Sequence, residues 1–172
     1  MKNACISFGH FIVFAILLLL SGCSNDAEES INQIQYYQMD TDKAFEEVLD
    51  DTIFAITERN FRITGNLHIG QAIRDRNNPE FPDYEVLLYC NLVYAKKMLD
   101  LDPDMISICP GRITLRQSDD HVIITAPLWP EVSKDKALRI HMQKMNELIH
   151  EIVDYAADDW LLVYDREPVG TE

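Results

Sequence analysis

The stretch GRITLRQSDDHVIITAP, residues 111–127, decides the fold class. Two runs rich in β-branched and apolar residues, GRITLRQ and HVIITAP, flank the short polar segment SDD. This arrangement is typical of a β-hairpin. The sequence therefore predicts two antiparallel strands, with Pro110 and Gly111 as the turn that leads into the first of them.

Further strands and helices are predicted on both sides of this hairpin. Strand-like segments cover residues 34–39, 61–69 and 84–90, and GQAIRDR, residues 70–76, is a short helical segment. Helical spacing of apolar residues predicts a helix within 41–60, capped by Thr41 or Asp42. A second helix over 91–101 is capped by Asn91. A long last helix opens at Ser133 and carries an apolar seam of Leu138, Met142, Met145, Leu148, Ile149, Ile152, Val153 and Ala156.

The order of these elements predicts the architecture. One strand and one helix come first, several strands follow, and a long helix ends the domain. We expect an α+β domain in which helices pack on one face of a mainly antiparallel sheet.

The N-terminus predicts a route to the cell envelope. The apolar run FIVFAILLLL, residues 11–20, would span about 15 Å as a helix, whereas a bilayer core is about 30 Å thick. It is therefore typical of a signal peptide. The following LLSGC, residues 19–23, resembles the lipobox of bacterial lipoproteins, which implies cleavage after Gly22 and lipidation of Cys23. The alternative is an ordinary signal peptide with an incidental cysteine.

The same reading sets the domain boundaries. Residues 1–22 are the predicted lipoprotein signal peptide, 23–33 a polar flexible tether, 34–157 a single domain and 158–172 a tail. Ser24 resembles an outer-membrane address, so the expected location is the cell envelope, at the outer membrane and facing the periplasm if the source is a diderm bacterium.

Charge limits the partners. The formal net charge is −14, and loss of Lys2 with the signal peptide makes the mature chain more acidic by one unit. Such a balance disfavours nucleic acid, which needs clustered Lys and Arg, and electrostatic binding to anionic lipid. The expected membrane attachment is therefore the lipid on Cys23.

Several short motifs carry a family resemblance. YEVLLYCN (84–91), LDLDPD (99–104) and CPGRITLRQSDDHVIIT (109–125) resemble the domain-of-unknown-function 302 family over about residues 34–157. The resemblance implies a compact fold similar to the TATA-binding-protein-like fold, often seen as a dimer, and it implies no reaction. Leu92 stands where the family often has Pro. An ungapped alignment puts Gly111 on the second family cysteine, two residues after Cys109.

Besides Cys23, the mature chain contains two cysteines, Cys90 and Cys109. Both lie in the domain, in a compartment that is expected to be oxidising. Cys90 precedes a helix start, where positive potential favours the thiolate. Alternatively, it shares the alternation of Tyr84, Val86 and Leu88 and faces the core as a small apolar residue. If their strands are antiparallel, Cys90 and Cys109 can meet as a disulfide or redox pair; if parallel, they lie a strand length apart.

Other candidate sites are weaker. Arg59, Arg62, Arg74 and Arg76 form a locally basic segment that suggests an anion-binding site, with surface ion pairs as the alternative. Leu128 and Trp129, between two prolines, are expected to be exposed and to form a dimer or partner interface. No CxxC, HxxxH or HExxH motif and no nucleotide or triad signature is present, so we expect no metal, no cofactor and no recognisable catalytic residues.

The sequence leaves two functions open, besides a purely structural dimer. The first is a non-enzymatic, lipid-anchored envelope protein whose domain binds a small ligand of unknown identity or a partner. The second is a thiol redox or metal-linked accessory protein that uses Cys90 with Cys109.

Overall fold

The computed structural model describes residues 34–158. Five strands and four helices follow one another along the chain, together with a 3-10 turn. They are β1 (Tyr36–Thr41), α1 (Phe45–Glu58), β2 (Arg62–His68), α2 (Ile69–Arg74), β3 (Tyr84–Cys90), α3 (Leu92–Leu101), the 3-10 turn (Pro103–Ile108), β4 (Gly111–Ser118), β5 (His121–Pro127) and α4 (Lys136–Ala157).

The strands form one sheet in the order β1-β5-β4-β3-β2, and every neighbouring pair is antiparallel. The hairpin of β4 and β5 lies at the centre, and Asp119 takes the positive φ of its tight turn. The expected antiparallel sheet is therefore confirmed. Gly111 begins β4 itself and is not part of a turn.

One face of the sheet carries the hydrophobic core. Buried and half-buried residues alternate along β3, so Leu87 and Tyr89 lie on the core face. Leu87 is paired with Ile113 of β4 and Tyr89 with Gly111, which puts these residues on the same face. Helices α1 and α4 contact each other and contribute buried side chains to the same core. The α+β arrangement with packed helices is confirmed.

Helix α4 buries its whole predicted seam, since all eight apolar residues of that seam are buried. The helix begins at Lys136 and not at Ser133. The reason is the Asp135 side chain, which accepts hydrogen bonds from the backbone N–H groups of Ala137 and Leu138 at 2.7 and 3.0 Å. An aspartate in this position satisfies free N–H groups of the first turn.

Helix α1 also begins later than predicted. Its N-cap is Ala44, which makes no side-chain cap hydrogen bond. Thr41 still belongs to β1, and its hydroxyl accepts a hydrogen bond from the Lys43 backbone N–H at 3.4 Å. The predicted caps Thr41 and Asp42 are therefore wrong, because β1 continues through Thr41 before the helix starts.

A buried asparagine on α4 fixes the segment that follows β5. The Asn146 side-chain amide accepts a hydrogen bond from the Trp129 N–H at 2.7 Å and donates one to the Trp129 carbonyl at 3.0 Å. It also donates to Glu131 at 2.8 Å. The Asn146 amide thus gives the Trp129 backbone the two hydrogen bonds that a neighbouring strand would otherwise supply.

Asn146→Leu is expected to lower the free energy of unfolding by about 2–3 kcal/mol, because both backbone groups of Trp129 would lose their partners in a buried place. Denaturant unfolding followed by tryptophan fluorescence measures this loss. Glu131→Gln is the matched control, since it leaves both bonds to Trp129 in place. Equal stability of the Asn146→Leu variant and the unmodified chain would show that these bonds contribute nothing.

Candidate functional site

The two cysteines of the described domain lie side by side. Cys90 ends β3, and Cys109 lies between the 3-10 turn and β4. Because β3 and β4 are antiparallel, with Tyr89 opposite Gly111, the residues that flank this pair are brought together. The sulfur atoms are 3.7 Å apart and not bonded. The structure therefore brings the pair together, and the disulfide itself stays a prediction.

Cys90 does not follow the core-facing alternation. Tyr84, Val86 and Leu88 are half-buried, whereas the intervening residues of β3 are buried. The alternation therefore does not place Tyr84, Val86 and Leu88 on the core face, since successive side chains point to opposite faces of a sheet. Cys90 itself, at the end of the strand, lines a pocket together with the core residues Tyr89 and Met145. Both cysteines are half-buried, which leaves their sulfur atoms within reach of a partner.

Asn91 holds the backbone next to Cys90. Its side-chain carbonyl accepts hydrogen bonds from the N–H groups of Val93 at 2.9 Å and Tyr94 at 3.3 Å, as predicted for the cap of α3. Its amide nitrogen donates to the Asn60 carbonyl at 2.9 Å. These bonds fix the start of α3 beside the sulfur of Cys90, where the helix contributes positive potential.

The surroundings of Cys109 disfavour its thiolate. Burial, the hydrogen bond with Cys90 and the charge of Cys90 together raise the pKa of the Cys109 thiol to about 11. Cys109 therefore keeps its proton at neutral pH, and either sulfur can donate the hydrogen bond that joins the pair. This arrangement favours Cys90 as the sulfur that reacts first, because the thiolate is the nucleophile in thiol chemistry.

A small pocket opens beside the pair. The space that the centre of a water molecule can reach is about 10 Å3, which is close to the room that one water needs. Met145 of α4 lines this pocket together with the two cysteines. Four rings form most of the rest of its wall, namely Phe61, Tyr89, Tyr94 and Trp129.

Tyr89 brings an unpaired hydroxyl into this pocket. The residue is 1% exposed, and its hydroxyl has no hydrogen-bond partner. Burial raises the pKa of this phenol above its usual range, so it stays protonated. A Cβ atom on Gly111 would lie 2.6 Å from Cζ of the Tyr89 ring. Glycine is thus needed at residue 111 because the ring lies directly against its backbone.

Sequence reasoning missed Tyr89 and treated Met145 only as a core residue. The pairing of Tyr89 with Gly111 depends on strand register, which the hairpin pattern alone does not specify. The glycine in a strand was the one available signal, because a strand glycine often marks the close approach of another group.

Trp129 is buried, not exposed. It is 8% exposed and belongs to the core, and Leu128 packs against the same core. The predicted exposure is wrong for Trp129 because Asn146 holds its backbone against α4 while its ring reaches the pocket. A homodimer or an interface at Leu128 and Trp129 stays a prediction.

The structure does not bring the four arginines together. Arg59 pairs with Glu151 at 3.1 Å, and Arg74 pairs with Asp83 at 2.8 Å. Arg62 begins β2, whereas Arg74 follows its far end, about 20 Å of strand away. Arg59 and Arg74 therefore form surface ion pairs, which was the alternative interpretation. The described domain has no common anion site made by all four arginines.

The remaining sequence predictions concern the chain termini, the membrane and metal binding. The signal peptide, the tether, the lipidated Cys23 and the tail after residue 158 lie outside the described residues. Within 34–158, none of the helices combines the length and apolar character that crossing a membrane requires. The same residues contain no group of three or more His, Cys, Asp or Glu side chains placed to hold a metal ion.

Comparison with known proteins places this domain in a family. No curated protein matches the chain. A solved structure described as the crystal structure of an uncharacterized conserved protein DUF302 from Bacillus stearothermophilus is similar, with a TM-score of 0.63 and 14% identity. The match covers 72% of this chain and 98% of that one, and it shows a shared fold. The family model for the domain of unknown function DUF302 matches residues 37–156, and the chain therefore belongs to the DUF302 family.

Proposed function

We propose that this domain carries out thiol–disulfide exchange through Cys90 and Cys109. The observation that carries the proposal is the 3.7 Å separation of the two sulfur atoms. A disulfide bond is about 2 Å long, so the two sulfurs need to approach each other by less than about 2 Å to form one. The antiparallel pairing of β3 with β4 already holds the flanking backbone in place.

The exchange begins at Cys90, because Cys109 keeps its proton at neutral pH. The thiolate of Cys90 attacks one sulfur of a partner's disulfide, which breaks the S–S bond of the partner and forms a mixed disulfide. Cys109 then loses its proton and attacks the sulfur of Cys90, and the second partner thiolate leaves. Two electrons pass from the dithiol to the partner disulfide, and two protons end on the released thiols.

The size of the pocket supports chemistry at sulfur over binding of a small organic ligand. Pockets for such ligands usually hold about 300–1,000 Å3, far more than the space beside Cys90. Exposed apolar side chains instead follow Cys90 and precede Cys109 closely in sequence. Leu92 and Val93 are 77% and 78% exposed, and Ile106 is 57% exposed. These three residues support a disulfide-bearing protein as the partner, since exposed apolar groups favour protein contacts.

Trapping the mixed disulfide tests this function. Cys109→Ser removes the resolving thiol, so the variant treated with a chromogenic aryl disulfide should release one aryl thiolate and keep the adduct on Cys90. The unmodified reduced domain should release two thiolates and keep no adduct. Mass spectrometry of the products measures both. Cys90→Ser is the matched control and should react slowly, because its remaining thiol is Cys109. An adduct equally stable in the unmodified domain would contradict the proposal.

The proposal includes a lipid anchor on Cys23, which would hold the domain at the envelope membrane. LLSGC at the end of the apolar run supports it, since an acidic domain has no electrostatic means of staying there. Metabolic labelling with a fatty acid should mark the full chain, and Cys23→Ala should abolish the label and release the protein from membranes. A label that persists on the Cys23→Ala chain would contradict the anchor.

A further inference from the structure

We propose that the pocket, with its two thiols reduced, is a binding site for one soft monovalent metal cation such as Cu(I). The cation would be held by the sulfurs of Cys90, Cys109 and Met145. The site uses the same two thiols as the proposed exchange but does not depend on their redox activity, because it needs them only in the reduced state.

Three sulfur-bearing side chains from three parts of the fold line this one small pocket. Cys90 comes from β3, Cys109 from the segment before β4, and Met145 from α4. Met145 is 1% exposed, so its thioether is shielded from solvent. Thiolates and thioethers are the ligands that select Cu(I) among the first-row metals. The donor set therefore points to a soft cation.

The rest of the wall excludes hard cations. None of the pocket-lining residues is a carboxylate, and Ca2+ and Mg2+ need several oxygen ligands. A structural zinc site needs four ligands from Cys, His or carboxylate side chains, and residues 34–158 offer no cluster of even three. A two-thiolate site with one thioether fits a cation of low charge and low coordination number.

The pocket also suits a bare ion in size and polarity. Its space of about 10 Å3 is too small for an organic molecule. The faces and edges of aromatic rings surround it, and rings attract a desolvated cation. The Tyr89 hydroxyl is a buried donor without a hydrogen-bond partner, in a residue that lines the same pocket. It can donate to a thiolate once both thiols have lost their protons to the solvent on metal binding.

Anaerobic titration of the reduced domain with Cu(I), in competition with a chromogenic Cu(I) chelator, tests the site. We expect one Cu(I) per chain, a near-ultraviolet absorption from thiolate-to-copper charge transfer, and only sulfur neighbours in the X-ray absorption spectrum. The double variant Cys90→Ser, Cys109→Ser should retain no metal. Met145→Leu should weaken retention by at least about tenfold, the size of effect that loss of one supporting group has at metal sites.

Met142→Leu is the matched control, because Met142 is buried on the same helix but does not line the pocket. Its retention of Cu(I) should equal that of the unmodified domain. Absence of bound Cu(I) in the reduced unmodified domain, or oxygen or nitrogen neighbours in its absorption spectrum, would overturn the site. Equal weakening by Met142→Leu and Met145→Leu would overturn the three-sulfur arrangement. These readouts need no disulfide partner, so failure of the exchange assay leaves them unaffected, and the reverse also holds.

Discussion

Oxidation of the purified domain is expected to join Cys90 to Cys109 and to raise its free energy of unfolding by about 3 kcal/mol. The two residues are 19 positions apart in sequence, and closing a loop of this size in the unfolded chain gives a stabilisation of that order in the chain-entropy model. The folded state needs little rearrangement, because the two sulfurs are already 3.7 Å apart.

Denaturant unfolding of the oxidised domain, with and without a reductant, measures this difference. The double variant Cys90→Ser, Cys109→Ser is the control, and its unfolding midpoint should not respond to the reductant. The same midpoint for oxidised and reduced protein, with no change of mass on oxidation, would show that the sulfurs do not bond.

Gly111→Val is expected to lower the free energy of unfolding by about 3 kcal/mol or more, the upper range of overpacking effects. An added Cβ at residue 111 would lie 2.6 Å from Cζ and 2.9 Å from the hydroxyl oxygen of Tyr89. The Tyr89 ring is fully buried and meets Phe61 edge to face, with ring centroids 5.3 Å apart. Its burial and the contact with Phe61 therefore restrict how far the ring can move away from residue 111.

Thermal and denaturant unfolding of Gly111→Val against Gly65→Ala separates this contact from a general cost of replacing a strand glycine. At Gly65 the nearest atom to an added Cβ is Cδ1 of Leu88 at 3.3 Å, in a side chain that can adjust. Tyr89→Leu should restore part of the stability lost in Gly111→Val. A Gly111→Val variant as stable as the unmodified chain would contradict the close packing of Tyr89.

The periodic parts of the chain were predictable from sequence. The hairpin over 111–127 and the seam of α4 follow from alternation and from helical spacing, and both are observed. Helix starts were less predictable, because the choice between Ser133 and Asp135 as a cap depends on one local hydrogen-bond geometry. Local patterns thus specify the elements better than their ends.

The site depended on contacts between residues far apart in sequence. Trp129 looked exposed between its prolines, but Asn146, 17 residues later, holds it in the core. The arginines are neighbours in sequence, but β2 carries Arg62 away from Arg74. Met145 joins the cysteines only because α4, far from them in sequence, contributes to the wall of the pocket.

The position of Cys109 likewise depends on contacts between residues far apart in sequence. An ungapped comparison moves Cys109 off the position of the second family cysteine and puts Gly111 there. The structure nevertheless places Cys109 against Cys90, and it gives Gly111 a separate role in making room for Tyr89. Proximity in the folded domain, and not alignment position, defines the candidate pair.

The most direct test of the dithiol pair is its redox equilibrium. The mature domain would be equilibrated with graded mixtures of reduced and oxidised dithiothreitol, quenched with an alkylating agent and weighed by mass spectrometry. We predict one transition between chains that carry two labels, on Cys90 and Cys109, and chains that carry none, without a stable singly labelled form. Two labels on every chain, even in the fully oxidised mixture, would contradict the account.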